Sequence, residues 1–343
     1  LSAGCNRCRI DSINSSASLV GISSFADAAR PCEVPLDASS SESSAKTIVG
    51  LPLRHIIKHA SNRIDEMADW GRILNRRDDG FPRMMGILNV TPDSFHADSR
   101  LNSVDEALAL AVRMVENGAD WLDIGGESTR PGAESVAATE EAARVLPVVE
   151  AVRAALPDVG ISIDTRRASV ARAALDAGAN LVNDVSALSD SEMLEVIVEY
   201  GCPVCLMHMQ GLPENMQNDP DYGDVVAEVR QRLGEVAKRL FDAGIDPRRV
   251  VADPGIGFGK MLDHNTDLLS AGRGILPDER MPLMWGVSRK RMFADLLGRE
   301  DSSERLAGSL GIAAKAPSKG VDIIRVHDVE AHADLYASMR AVE

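Results

Sequence analysis

An eight-unit (β/α)8 barrel carrying an active site on one face, with an N-terminal extension, is the fold this sequence predicts, and three observations predict it. Between Met84 and Asp328, eight short apolar runs each stop at a polar residue. Each run is followed by a stretch of helical periodicity. The 343 residues leave room for one barrel of about 250 residues plus an extension.

The runs are taken in order. Met84 to Leu88 meets Asn89, Trp121-Leu122 meets Asp123, and Ile161 to Ile163 meets Asp164. Leu181-Val182 meets Asn183, Val204 to Met207 meets His208, and Val250 to Ala252 meets Asp253. Met284 to Val287 meets Ser288, and Asp322 to Ile324 meets Arg325 and His327. Polar residues at the C-terminal ends of barrel strands point to catalysis. Helices are expected near 103–117, 139–155, 167–177, 190–200, 221–243, 264–273, 302–319 and 328–342. Ser103 and Thr139, each followed by acidic residues, are expected N-caps. Gly118, Gly178 and Gly244 are expected to end their helices in the left-handed conformation.

Residues 1–50 are rich in Ser and Ala and read as a disordered or leader segment. Residues 51–80 carry Leu51, Ile56, Ile57, Ile64, Met67, Trp70, Ile73 and Leu74 at helical spacing. They read as a helical appendage that plugs the bottom of the barrel or covers its side. The barrel is expected to occupy 81–343.

Composition narrows the function. The formal charge of −15 argues against binding nucleic acid or an acidic membrane. No apolar run reaches the ~20 residues of a membrane span. Aromatic residues make up only 3%, against base stacking. Of five cysteines, Cys202 and Cys205 are three apart on a strand, so they face opposite ways and suit neither one metal nor one disulfide. An odd count without a framework fits a reducing cytoplasm.

Several strand ends carry chemistry. Asn89 opens a loop with Thr91, Asp93, Ser94 and Phe95, an oxygen-rich set suited to a Mg²⁺-bound phosphate. Gly125 to Gly132 forms a glycine-rich loop with Thr129, Arg130 and Pro131, where Arg130 can pair with an anion. Asp164, Asn183, Asp253 and Lys290 converge from four strand ends. Two acids suit an N–H-rich edge such as that of a pterin or guanine, and the amide and ammonium suit ring carbonyl and nitrogen atoms. The plainer reading, a core ion pair between one Asp and Lys290, explains two of the four.

The run Asp253-Pro-Gly-Ile-Gly-Phe-Gly-Lys260 is not a nucleotide phosphate loop, because Met261 stands where Ser or Thr is required. It reads instead as a tight turn that places Asp253 and lays Phe258 against a planar ligand. Ser288 to Arg291, with Arg325 and His327, stand where barrels commonly bind phosphate. Arg325 and His327 are two apart and share a strand face.

Met84 to Phe95, Gly125 to Gly132, Met207-His-Met-Gln-Gly211, Asp253 to Lys260, Ser288-Arg-Lys290 and Arg325 to Val329 together resemble the dihydropteroate synthase family over about 84–342. The resemblance implies a folate-pathway transferase, a target of sulfonamides. It would join 7,8-dihydropterin-6-ylmethyl diphosphate to 4-aminobenzoate and release diphosphate, by an SN1-like route. It implies that Asp164, Asn183, Met207, Asp253, Phe258 and Lys290 hold the pterin. Asn89, Arg325 and His327 would hold the diphosphate, with Mg²⁺ on Asn89. Phe95, Thr129, Arg130, Pro131 and Lys290 would shape the aminobenzoate site, and Asp164, Lys290 and Asn89 would be catalytic. A homodimer and a cytoplasmic location are also implied. After Phe95 the chain departs from the usual Ser-Asp-Gly-Gly of the family, reading His96-Ala97-Asp98-Ser99. A pterin-binding paralogue without turnover is the alternative reading, and a folate-dependent corrinoid methyltransferase another; the latter needs neither Arg130 nor the Arg325/His327 pair.

Overall fold

The computed structural model describes residues 73–91, 100–128, 135–211, 216 and 220–342, all within the unit 51–343. Eight parallel strands form the barrel: β1 (Arg83–Asn89), β2 (Trp121–Gly125), β3 (Gly160–Asp164), β4 (Leu181–Asp184), β5 (Val204–Met207), β6 (Val250–Asp253), β7 (Met284–Trp285) and β8 (Ile323–Val326). Their order is β6-β5-β4-β3-β2-β1-β8-β7, and a bridge between Ala252 and Leu283 closes the ring.

Helices α1 (Arg100–Glu116), α2 (Ala138–Ala155), α3 (Ala168–Asp176), α4 (Met193–Tyr200), α5 (Val225–Asp242) and α6 (Leu262–Ala271) follow the first six strands. Two short helices, α7 (Met292–Leu297) and α8 (Leu306–Ala313), follow β7, and α9 (Val329–Arg340) follows β8. None of the described helices is long and apolar enough to cross a membrane.

The strand alternation sorts the apolar residues into two cores. Met85, Trp121, Leu181, Cys205, Val251, Met284 and Ile323 pack inside the barrel. Their chain neighbours Met84, Leu122, Val182, Leu206, Ala252, Trp285 and Ile324 pack outward under the helices. Cys202 and Cys205 fall on opposite sides of this division, as their spacing requires, and both are free thiols.

Of the appendage, only its last residues are described, and they close the barrel floor. Leu74 is fully buried in the inner core, with Ile73 packed against it. The Ile73 carbonyl accepts from Trp121 Nε1 at 3.0 Å and the Asn75 carbonyl from Arg83 Nε at 2.8 Å. Each large apolar side chain buried this way contributes about 1.5–3 kcal/mol. The expected leader, 1–50, and residues 51–72 lie outside the described residues.

Three expectations change. The helix expected over 302–319 is α8 flanked by 3₁₀ turns at Ser302–Arg305 and Pro317–Lys319. Pro317 lacks the N–H that continuation would need, and α7 is an additional helix. Thr139 lies inside α2, whose N-cap is Ala137, and Ser103 lies inside α1; neither caps its helix. By contrast Asp224 caps α5, accepting from Ala227 N at 3.0 Å. Gly118, Gly178 and Gly244 adopt positive φ as expected.

Candidate active site

The inward positions nearest the C-terminal mouth belong to polar residues, and they gather around Arg325. Its Nε donates to Asp123 Oδ2 at 2.5 Å and its Nη2 to Asp164 Oδ2 at 2.7 Å. Asn183 Nδ2 donates to the same Asp123 oxygen at 3.1 Å. Asp123 is fully buried, and its Oδ1 has no hydrogen-bond partner among the described residues. Asp123 sits in the middle of β2 rather than at its end.

Arg325, expected from the sequence in an anion site beside His327, is here also paired with Asp123 and Asp164. The ion pair at the mouth is not between an aspartate and Lys290; Arg325 makes it, to two carboxylates at once. Its pKa is pushed up beyond the ordinary arginine value, because Asp123 and Asp164 outweigh the cost of burial. Burial raises the Asp164 pKa; Arg325 opposes that, and the charge of Asp123 adds to it. Burial likewise raises the Asp253 pKa against its bond from Gly255 and the charge of Lys290.

Lys290 follows β7, the strand beside the β8 of Arg325. Its Nζ lies 3.8 Å from the centroid of the Phe258 ring, a cation–π contact. Burial lowers its pKa to about 8, with Asp253 opposing the fall. The residue before it, Arg289, has φ +54°, a strained conformation for a side chain with a Cβ. That strain is held by a bidentate pairing of Arg289 with Asp328, by Ser309 Oγ on its N–H at 2.9 Å, and by Arg305 on its carbonyl at 3.2 Å. Of the basic run at 289–291, Arg289 is therefore committed to Asp328, and Lys290 faces the mouth.

The turn after β6 is tight and holds Asp253, as its sequence suggested. Asp253 Oδ1 accepts from Gly255 N at 2.7 Å. A Cβ on Gly255 would sit 1.8 Å from the His208 carbonyl oxygen, so only glycine fits there. Met207, buried at the tip of β5, packs beside it. His327 Nδ1 lies 3.0 Å from Ser288 Oγ, and burial with Arg325 nearby lowers its pKa to about 4, so it is neutral at pH 7. Asn89 ends β1 opposite Gly125, half-buried at the same mouth.

The structure thus brings together Asn89, Asp164, Asn183, Met207, Asp253, Phe258, Lys290, Arg325 and His327 at the strand ends and in the turns that follow them. Phe95, Thr129, Arg130 and Pro131 lie outside the described residues. What is described of the second loop is its frame. Glu127 accepts from Val136 N at 2.9 Å and from Arg166 and Arg167 at 3.0–3.2 Å. These contacts lower its pKa to about 2 against the cost of its burial.

Sequence reasoning gave no role to Asp123 or to the buried pair His208 and Lys260. The signal for Asp123 was present, since a carboxylate on the inward face of a barrel strand must meet a cation. Its partner lies six strands on in sequence, and only barrel closure reveals it.

Among the described residues no cluster of three or more His, Cys, Asp or Glu is arranged to hold a metal ion. The donor at the expected Mg²⁺ position is the single amide oxygen of Asn89. That fits an ion carried mainly by phosphate oxygens and water, since Mg²⁺ keeps several waters and takes few protein ligands.

Comparison with known proteins matches residues 85–327 to the pterin binding enzyme family. The dihydropteroate synthase of Escherichia coli (strain K12) is 47% identical over 262 residues, covering 76% of this chain and 91% of that protein. A structure of Xanthomonas albilineans dihydropteroate synthase with 4-aminobenzoic acid superimposes with a TM-score of 0.71 at 44% identity, covering 76% of this chain and 93% of the other. The Yersinia pestis enzyme in a sulfonamide drug complex gives 0.72 at 43% identity, with 78% and 96% covered.

Proposed function

The chain belongs to the dihydropteroate synthase family of pterin-binding enzymes, and from that premise we propose how its own residues divide the work. It is a transferase of folate biosynthesis, condensing 7,8-dihydropterin-6-ylmethyl diphosphate with 4-aminobenzoate to give 7,8-dihydropteroate and diphosphate. The observation that carries the division of roles is the set of poorly paired charges at the mouth. Asp164 and Asp253 are carboxylates burdened by burial, and Lys290 is a cation with no carboxylate in direct contact among the described residues.

A pterin offers what that set lacks. Its N–H edge satisfies Asp253 and Asn183, its carbonyl and ring nitrogen receive Lys290, and Met207 and Phe258 pack against its faces. Asp164, beneath the ring, stabilises positive charge that develops at the exocyclic methylene as the C–O bond to diphosphate breaks. The 4-aminobenzoate nitrogen then forms the new C–N bond and loses a proton. No nucleophilic side chain is required by this SN1-like route. Phe95, Thr129, Arg130, Pro131 and Lys290 are assigned to the aminobenzoate side.

Asn89 and His327, with the N–H groups of Arg325 not used on carboxylates, receive the departing diphosphate. Two of the five guanidinium N–H groups are engaged by Asp123 and Asp164, which leaves three. Mg²⁺, entering with the diphosphate and touching the protein through Asn89, would neutralise charge on the leaving group.

We assign the protein to the cytoplasm, where the buried, unpaired Cys202 and Cys205 remain reduced. We also assign it a homodimeric state through α7 and α8. The sequence of α8 is apolar apart from Ser309, and Leu296 and Leu297 of α7 are each 48% exposed. Sedimentation should give a dimer that Leu296→Glu dissociates; a monomeric wild type would refute this.

The decisive experiment measures diphosphate release with and without 4-aminobenzoate. Aminobenzoate-dependent release with dihydropteroate formation is expected. Pterin binding without release would instead favour the paralogue that binds and does not turn over.

A further inference from the structure

Lys260 is the most deeply buried lysine of the described chain, 3% exposed, and the reaction as assigned above does not use it. Its surroundings contain acceptors only. Nζ donates to the carbonyl oxygens of Gly255 at 3.1 Å, Phe258 at 3.0 Å and His208 at 3.3 Å, and lies 3.0 Å from His208 Nδ1. Among the described residues no carboxylate pairs with it, and burial lowers its pKa to about 7, with the charge of Asp253 opposing the fall. An ammonium has three donors and no acceptor, so four acceptors saturate it. The His208 ring is held neutral, its pKa lowered to about 3 by burial and by Lys260 itself, which leaves Nδ1 free to accept.

These four acceptors belong to two segments. Gly255 and Phe258 lie in the turn after β6, and His208 lies one residue past the end of β5. The two backbones press together closely: Cβ atoms at Gly255 and Gly259 would fall 1.8 Å from the His208 oxygen and 2.4 Å from the Gln210 oxygen. The carbonyl oxygens of His208, Gly255 and Phe258, which converge on one point at 3.0–3.3 Å, repel one another. The ammonium between them removes that repulsion, as a bound metal cation would. Around it the turn is secured by Gly257 N to Asn265 Oδ1 at 2.7 Å, Asn265 Nδ2 to the Lys260 carbonyl at 3.3 Å, and Tyr222 OH to the Gly259 carbonyl at 2.8 Å.

The turn in turn sets the pterin site. It carries Asp253 at its start and Phe258 at its crest, and Phe258 supports Lys290 at 3.8 Å. The stem of Lys290 also runs along Gly257, where a Cβ would meet it at 3.3 Å.

We propose that Lys260 is a positioning residue for pterin binding, an internal cation that locks the 253–260 turn onto the end of β5 and so fixes Asp253, Phe258 and Lys290 in register. The proposal rests on the functional reading above. A turn without its cation can still fold through its glycines and Asn265, but its crest is no longer held at one height.

The test uses the full chain and two variants, Lys260→Met and Lys260→Ala. Binding of 6-hydroxymethylpterin is followed by its fluorescence, and turnover by diphosphate release. Lys260→Met should raise the pterin Kd at least tenfold and the KM for the pterin diphosphate in parallel, with kcat at saturation within threefold of wild type. Propylammonium, which supplies the missing atoms, should restore pterin binding to Lys260→Ala and leave the wild type unaffected.

Unchanged pterin Kd in both variants overturns the proposal. So does a fall in kcat at constant KM, the mark of a smaller folded fraction. Where neither Lys260 variant accumulates, His208→Leu decides: it removes one acceptor and should raise the pterin Kd about threefold with the same split, and no change refutes the lock. Absence of pterin binding by the wild type overturns the functional reading, and this inference with it; retained binding in the variants overturns this inference alone.

Discussion

The two ends of the barrel handle charge in opposite ways. At the floor, Asp322 is buried and fully satisfied, accepting from Arg273 Nη1 at 2.5 Å, Leu283 N at 2.8 Å and Arg76 N at 3.2 Å. Asp120 there pairs with both Arg77 and Arg83, at 2.7 and 3.0 Å. At the mouth two carboxylates share one guanidinium, Asp123 keeps a buried oxygen without a partner among the described residues, and Lys290 rests on an aromatic face. The floor is built for the folded state alone. The mouth, on the reading proposed above, is where the pterin would supply donors and acceptors.

Exchanging one residue at a time should break that contrast in a graded order. Arg325→Ala should do the most damage, because it strands two carboxylates on the inner face of the barrel. Removing one partner of a buried ion pair costs about 3–5 kcal/mol. Denaturant unfolding should show that loss together with loss of turnover. A variant as stable as wild type would mean that the pairing with Arg325 contributes nothing to the folded state.

Asp164→Asn comes next and should separate the two properties. It removes a carboxylate whose burial works against it, so stability should hold or rise. If Asp164 stabilises the developing cation, kcat should fall by 10²–10³-fold, the range for removing one preorganised group at a transition state. A drop in stability with turnover intact would move Asp164 from the reaction to the scaffold.

Leu74→Ala probes the other end. Emptying a fully buried leucine position costs about 2–5 kcal/mol. Because Leu74 meets only the inner floor, pterin affinity should be unchanged at a temperature where the variant is folded. Altered affinity would show that floor and mouth are mechanically coupled.

The smallest effect is in pH. The Lys290 value of about 8 lies below the ordinary lysine value of 10.5. Between those limits the unfolded chain holds a proton that the folded chain has released, so this group adds stability as pH rises through the window. Over the same rise the site loses its cation, and pterin affinity should fall. Lys290→Met should abolish the fall in affinity and reduce the gain in stability, part of which Lys260, lowered by burial to about 7, still supplies. Sulfonamides should compete with 4-aminobenzoate in the same assays.

Much of this organisation was legible in the sequence. The apolar runs and their polar tips define the strands, and period-two alternation already separates Cys202 from Cys205 and puts Arg325 and His327 on one face. Three things were not legible. Which inward residues meet across the barrel depends on how the strands are staggered, so the Arg325 contacts with Asp123 and Asp164 follow only from closure. The division of 302–319 depends on how a short apolar helix packs between two turns. Lys260 read as a failed phosphate loop because its partner, His208, lies on a different strand end.

The ring of strands is not uniformly stitched. Most neighbouring strands share a ladder of three to five paired residues, whereas β6 and β7 share the single bridge from Ala252 to Leu283. Asp253 stands on one bank of that seam and Lys290 just beyond the other. The amide protons along the seam should therefore exchange with solvent sooner than those of β1 to β3. A ligand that grips both banks should slow them most, acting as a clasp across the thinnest join of the wall.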